Sequence, residues 1–475
     1  MNMHITRFSI AAALMLLASA GCDKATVSAP KEKSSQGKSS DTSPVAKLEG
    51  ALRSGQIAWK FSEPEEIVEL LGKPDRDKIE TDDGGETEYR VLHYDHDPRF
   101  SVVFNRVKKS GKPWGLVSYR EGNANYVERP EGKAIKLRNM SDLYKLDTEM
   151  WGLSGMDLSA LDLTQEESRL REMPFDTLTK WPDRQKLPSG FDPHEILESG
   201  KNPGLGLRAL HAHGIDGRGV DIAIIDQPLV PDHVEIESNL KIIAELDTKG
   251  WVPQMHGPLV TSIAAGKNCG VAPKANLYYV SMPMWEDTNR YYIQALETIL
   301  ELNKNKIAKI RAVSISTGMF RHYAQFDKWQ TLLERAESEG VLVITCDLDA
   351  TKLQYAFLRP LPKGDREKPE GYTAGTTYAR LGSLSLLVPK DNCTYASHLG
   401  KDVYSYAPKS GNSMGAPWLV GLAALGFQVN PELKPAEIRK YLVESATVMP
   451  YGKVVNPKGF LEMCRASSRH WAGFM

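Results

Sequence analysis

This 475-residue chain has few cysteines, no surplus of charge and, past its first residues, no long apolar run. Its five cysteines, Cys22, Cys269, Cys346, Cys393 and Cys464, form no Cys-x-x-Cys pair, which removes the common zinc and dithiol spacings and the disulfide-dense scaffold. Lys plus Arg (59) nearly cancels Asp plus Glu (60). The basic footprint of a nucleic-acid binder or an anionic-membrane binder is therefore missing, and charge points to no partner. No repeat with a period of about 20–50 residues emerges, so solenoids and propellers are excluded. No calcium loop stands out, and the nearest approach to a metal pair is His93 with His96. Three positions apart on a strand, these two face opposite sides and read as surface histidines, so no metal or other cofactor is expected.

What is present begins with an export signal over 1–21: Arg7, the apolar run Phe8 to Ala18, then small residues. The run is too short to span a bilayer comfortably. Two cleavage readings stand. Ala18-Ser19-Ala20 suits an ordinary signal peptidase, and Ala20-Gly21-Cys22 suits a lipobox despite Ser19. The lipobox is favoured because Cys22, directly ahead of a polar segment, otherwise lacks a role. Cys22 is thus the expected lipidation site and a membrane tether, and the expected location is outside the cytoplasm, lipid-anchored in the cell envelope or secreted. The remaining cysteines could oxidise there in several pairings that sequence cannot choose among.

The length implies more than one folded unit. Residues 22–47 are Ser, Lys, Thr, Pro and Ala with little to bury, the composition of a disordered linker. Residues 48–121 read as a small α+β domain, with a helix over Pro64 to Leu71 and strands over Thr87 to Tyr94, Phe100 to Val107 and Trp114 to Tyr119. Residues 122–195 are irregular and read as a connector, with a Leu-rich patch at Leu153 to Thr164. From 196 to 466 short apolar strands alternate with helices, and 467–475 form a tail. The strands are Val220 to Ile225, Asn276 to Met282, Arg311 to Ser316, Val341 to Cys346 and Ser383 to Val388. The helices are Tyr292 to Asn303, Phe326 to Gly340 and Ala416 to Phe427. That alternation predicts an α/β fold, a largely parallel central sheet with helices on both faces.

Three segments of this last domain carry polar residues that packing does not request. In Gly219-Val-Asp-Ile-Ala-Ile-Ile-Asp226-Gln227-Pro228 an apolar strand ends in a carboxylate, at the end of a parallel strand where α/β sites form. In His256-Gly257-Pro258-Leu259 a histidine opens a helix of small neighbours, followed by Gly270-Val-Ala-Pro273. In Gly411-Asn412-Ser413-Met414-Gly415-Ala416-Pro417 a serine sits where a helix begins, near N–H groups and a dipole that favour developing negative charge. Taken alone, each has a structural reading: a turn or N-cap aspartate, a structural histidine, an N-cap serine.

Together, in the order Asp, His, Ser, they resemble the subtilisin-like serine peptidases. The resemblance covers about Ile196 to Leu461, and Ser314-Ile-Ser-Thr-Gly318 looks like the substrate-binding strand, with Ser314, Ser316 and Gly318 as contacts. It implies that Ser413 attacks a scissile carbonyl, His256 carries the proton, and Asp226 orients the imidazole. A protein or peptide is the implied substrate. The family usually follows the strand at Val341 to Cys346 with a Gly-Asn pair whose amide meets the oxyanion, whereas this chain continues Asp347-Leu348-Asp349. Asn412, where Thr is usual, offers a replacement amide. Pro228 and Pro258-Leu259 are lesser departures. Two rivals to an active endopeptidase stand: a catalytically silent relative that binds peptides or scaffolds an envelope assembly, and a protein whose 48–121 domain is the working part, as a binding, inhibitory or chaperoning module.

Overall fold

The computed structural model describes residues 6–9, 44–54, 56–57, 62–81, 87–95, 100–107, 114–121, 125–127, 135–146, 152–283, 288–319, 324–347, 353–361, 364–375 and 385–467. Cys22, His96 and Asp349 lie outside them. The chain divides into two compact units, Phe8–Leu146 with Gly250–Val252, and Asp147–Lys249 with Pro253–Met475 and Met1–Arg7.

The first unit is α+β. Helices α1 (Pro44–Ser54) and α2 (Pro64–Leu71) accompany an antiparallel sheet of β1 (Arg76–Thr81), β2 (Thr87–Tyr94), β3 (Phe100–Val107), β4 (Gly115–Glu121) and β5 (Asn125–Val127), paired in chain order. The α2 start is built from Pro64 in its first turn and a reciprocal box between Glu63 and Glu66. Alternation along β2 and β3 puts Leu92, Tyr94, Phe100, Val102 and Phe104 into one core with Leu48, Ile67, Leu116 and Tyr119. Helix α1 starts at Pro44, inside the segment that composition assigned to the linker, because Leu48 and Ala51, three apart, both reach this core. Strand β1 has no sequence signature, since its residues Arg76 to Ile79 are all exposed and are held extended by pairing with β2 and by ion pairs to Asp95 and Arg90.

In the second unit, β6 (Asp221–Asp226), β7 (Leu240–Glu245), β8 (Asn276–Ser281), β9 (Ile310–Ile315) and β10 (Leu342–Thr345) run parallel in the order β7-β8-β6-β9-β10, and Thr6–Ser9 adds an edge beyond β7. Thr6–Ser9 falls in the segment expected to be cut off on export. Continuous apolar runs suit strands covered on both faces, and Ile222 to Ile225 are all fully buried. Helices α3 (His256–Ala265) and α6 (Gly415–Val429) pack on each other and on the sheet, while α4 (Thr288–Lys304) and α5 (Phe326–Ser338) form the other pair. The helix Pro64–Leu71 and the strands Thr87–Tyr94 and Phe100–Val107 have the bounds expected of them, the other expected elements differ by one to four residues at an end, and β7 was not anticipated.

The stretch expected to be a connector folds into this unit from Asp147 onward. Leu153, Leu158, Leu161 and Leu163 are each buried, and each carbonyl or amide closes a short turn, which is why no periodicity marks them. Phe175–Asp176 pairs with the strand Tyr404–Ala407, whose other neighbour is Cys393–Ala396.

A buried carboxylate fastens the turn after α3. Glu235 accepts from Asn268 N–H at 2.8 Å, Asn268 Nδ2 at 2.7 Å, Cys269 N–H at 3.1 Å and the Tyr404 hydroxyl at 2.5 Å. Burial pushes its pKa up, but Tyr404, Asn268 and Cys269 outweigh burial and hold the carboxyl below its ordinary 4.5. With the folded pKa below the unfolded one, this group's stabilisation is complete above about pH 4.5 and is lost as pH falls through the folded value. Glu235→Gln should therefore lower stability by roughly 2–3 kcal/mol at neutral pH, with the gap to wild type closing in acid. Thermal unfolding as a function of pH measures both.

Candidate active site

Asp226 ends β6, the middle strand of the parallel sheet, and is fully buried. Its Oδ1 accepts from the Gln227 N–H at 2.8 Å, and His256 Nδ1 lies 2.8 Å from Oδ1 and 3.0 Å from Oδ2. A carboxylate can only accept, so Nδ1 carries the proton and the Nε2 lone pair is left for another partner. His256 is the first residue of α3 and its side chain retains 19% exposure, so one edge of the ring reaches solvent. Every residue of α3 after His256 is buried. Gly257 is required: a methyl there would overlap the Gln227 carbonyl and the Tyr279 hydroxyl.

Ser413 sits in the 3-10 turn Asn412–Met414 that leads into α6, and this turn packs against α3. It is stitched to the end of β9 from both sides. Ser316 Oγ donates to the Ser413 carbonyl at 2.7 Å, and Ser413 Oγ donates to the Ser316 carbonyl at 3.3 Å. The three segments picked out in the sequence thus converge at the carboxyl ends of β6 and β9, the edge where open α/β sheets carry their sites.

Of the other expected site residues, Ser314 is fully buried with a hydroxyl that has no partner among the described residues. It is part of the core under the site. Gly318 is half-buried just past β9, and Asn412 is exposed on the turn beside Ser413. His93 lies half-buried on β2, away from any metal-sized cluster of His, Cys, Asp or Glu among the described residues.

At the end of β10, the Cys346 N–H donates to the Thr317 carbonyl at 2.9 Å and the Asp347 N–H to Thr345 Oγ1 at 3.0 Å. Both amides are turned into the protein. The Ser413 N–H has no acceptor among the described residues.

Two tyrosines that the sequence did not single out support this arrangement. Tyr279 on β8 donates its hydroxyl to the Gln227 carbonyl. Tyr355, on strand β11 (Tyr355–Pro360), donates to the Thr345 carbonyl at 3.0 Å, and its ring together with Phe357 fills the space over Gly415. Burial pushes the neighbouring Cys346 thiol up to about 11, so it is no thiolate at neutral pH. Neither tyrosine has a sequence signal, because an aromatic residue in an apolar strand looks like packing alone.

Residues 217–347 match the Peptidase_S8 model, the subtilase family. Over this stretch the chain is similar to the subtilase family. The match includes Asp226 and His256 and ends before Ser413, and the parallel sheet covered on both faces is the α/β architecture expected of a subtilase. The chain is 25% identical over 288 residues to the subtilisin-like protease PopC of Myxococcus xanthus, covering 52% of this chain and 59% of PopC. It is 25% identical over 277 residues to the serine protease AprX of Bacillus subtilis, covering 48% of this chain and 61% of AprX. The chain thus spans about three fifths of the length of these curated relatives. Among solved structures, the prenylagaramide maturation protease PagA matches at 18% identity and a TM-score of 0.41, over 55% of this chain and 98% of that one.

Gly415 offers a direct check of the packing over the Ser413 turn. Gly415→Ala pushes a methyl into the Tyr355 and Phe357 rings and should destabilise the protein by about 1–3 kcal/mol, as overpacking does. Urea unfolding measures the loss.

Proposed function

We propose that the second unit is a serine endopeptidase that hydrolyses protein or peptide substrates through an acyl-enzyme, with Asp226, His256 and Ser413 as its triad. The observation that carries this reading is the buried Asp226 carboxylate bonded to His256 Nδ1, with the Ser413 turn packed on the same helix. An acid that fixes the imidazole tautomer has a chemical purpose when Nε2 must accept a proton. Ser413 Oγ attacks the carbonyl carbon as its proton passes to His256 Nε2. The imidazolium, stabilised by Asp226, then protonates the leaving amine, and water, deprotonated by His256, releases the acyl group.

The oxyanion forms where the Ser413 N–H and the first turn of α6 point their dipoles. Asn412 is the side-chain amide nearest in sequence to that charge, and we assign it part of the donation. The carboxylates of Asp347 and Asp349 favour a second reading, a silent relative that binds peptides. Magnitude weighs against it. One oxyanion donor is worth about 10²–10³ in rate, far less than the roughly 10⁶ lost with a subtilisin's serine or histidine. A weakened hydrolase therefore fits the residues better than none. The export signal and Ala20-Gly21-Cys22 support action outside the cytoplasm, on a lipid anchor at Cys22 or in secreted form.

A fluorophosphonate probe applied to the full chain tests the main reading: the wild type should label and Ser413→Ala should not. Failure of a folded wild type to label would sink it. Asn412→Thr is expected to lower kcat on a peptide substrate by roughly 10-fold, less than a full donor supplies. An unchanged kcat would remove Asn412 from the oxyanion site.

A further inference from the structure

Asp226 is followed by Gln227, whose two backbone polar groups are both engaged. Its N–H holds Asp226 Oδ1 at 2.8 Å, and its carbonyl accepts the hydroxyl of Tyr279. Holding a residue at both its amide and its carbonyl fixes both of its backbone dihedrals, and Pro228 after it narrows them further. The next carbonyl, that of Pro228, accepts the Gln254 N–H at 3.0 Å, two residues before His256. From the other side, α3 rests on the same bond: Gly257 has no room for a methyl because the Gln227 carbonyl and the Tyr279 hydroxyl occupy it. Tyr279 itself is almost fully buried in β8, where it is in register with Ile224, two residues short of Asp226.

We infer that Tyr279 is a positioning residue for the Asp226–His256 pair, holding the Gln227 turn so that the carboxylate meets Nδ1. This rests on the triad reading above. Without the hydroxyl, the Gln227 carbonyl is a buried acceptor with no donor, so the turn relaxes toward one. The Gln227 N–H then leaves Oδ1, and the carboxylate swings off the imidazole. The hydroxyl is suited to this task at every working pH, since burial and then the Asp226 charge push the phenol far above its ordinary value. Among the described residues the Cys346 thiol also feels the Asp226 charge, and burial raises it as well.

The test compares wild type with Tyr279→Phe in the full chain, following the rate of fluorophosphonate labelling against pH. The plateau should fall on the order of 10- to 10²-fold, the size of a small misplacement of reacting groups. The acid limb should move to lower pH, because an imidazolium less well held by Asp226 loses its proton more easily. KM for a peptide substrate should stay constant. A packing role alone would reduce the amount of folded protein and leave the limb in place, so an unmoved or raised limb overturns the inference. If the wild type does not label, it is the peptidase reading that fails. The positioning claim is then read from the far-downfield Nδ1 proton resonance of His256, assigned by its loss in His256→Ala. It should move upfield or broaden in Tyr279→Phe, and an unchanged resonance refutes the claim. If Tyr279→Phe does not fold, Pro228→Gly loosens the same turn without touching the buried ring and should move the resonance the same way, with the same refuting outcome.

Discussion

A carboxylate with no solvent exposure at the end of the central strand is the constraint from which the rest of the site follows. Burying an unpaired charge costs several kcal/mol even after relaxation, so Asp226 is tolerable only where donors surround it. The structure supplies the Gln227 N–H and His256 Nδ1. One is a backbone group that depends on the turn after β6, and the other depends on where α3 begins. The charge therefore dictates the close seating of α3 on that turn, and the seating dictates a glycine at 257.

The same logic extends to Ser413. Its turn is clamped by reciprocal hydrogen bonds with Ser316, and the helix it opens is buried from Gly415 to Phe427, so the serine cannot drift relative to β9. Tyr355 then closes the third side, spanning from the end of β10 to Gly415. Interiors packed to crystal-like density transmit position in this way, because a displaced ring has nowhere to go.

Much of this was legible in the sequence. The strand ending at Asp226, the helix opening at His256 and the turn at Ser413 each combine an apolar element with one misplaced polar residue, and that contrast survives without coordinates. What was illegible has two physical sources. Exposed edge strands such as β1 owe their conformation to pairing and ion pairs with their neighbours, and the Leu-rich stretch 153–164 is held by single turns and by backbone bonds to residues 174, 180 and 186, so neither carries a period. Tyr279 and Tyr355 failed for a different reason. Their rings read as core while their hydroxyls do the positioning, and which carbonyl a hydroxyl meets is a property of the folded sheet.

The oxyanion side is where sequence and structure press on the same point. At the end of β10 the Cys346 and Asp347 amides are both spent on internal acceptors, so that strand offers no backbone donor from these two residues. On the proposed reading, donation comes from the other wall, where the Ser413 N–H, the Asn412 amide and the start of α6 share one turn. Concentrating donors there has a consequence for the helix as well. The first turn of α6 holds no acidic residue, so on the proposed reading the positive end of its macrodipole favours the negative charge that attack by Ser413 would create.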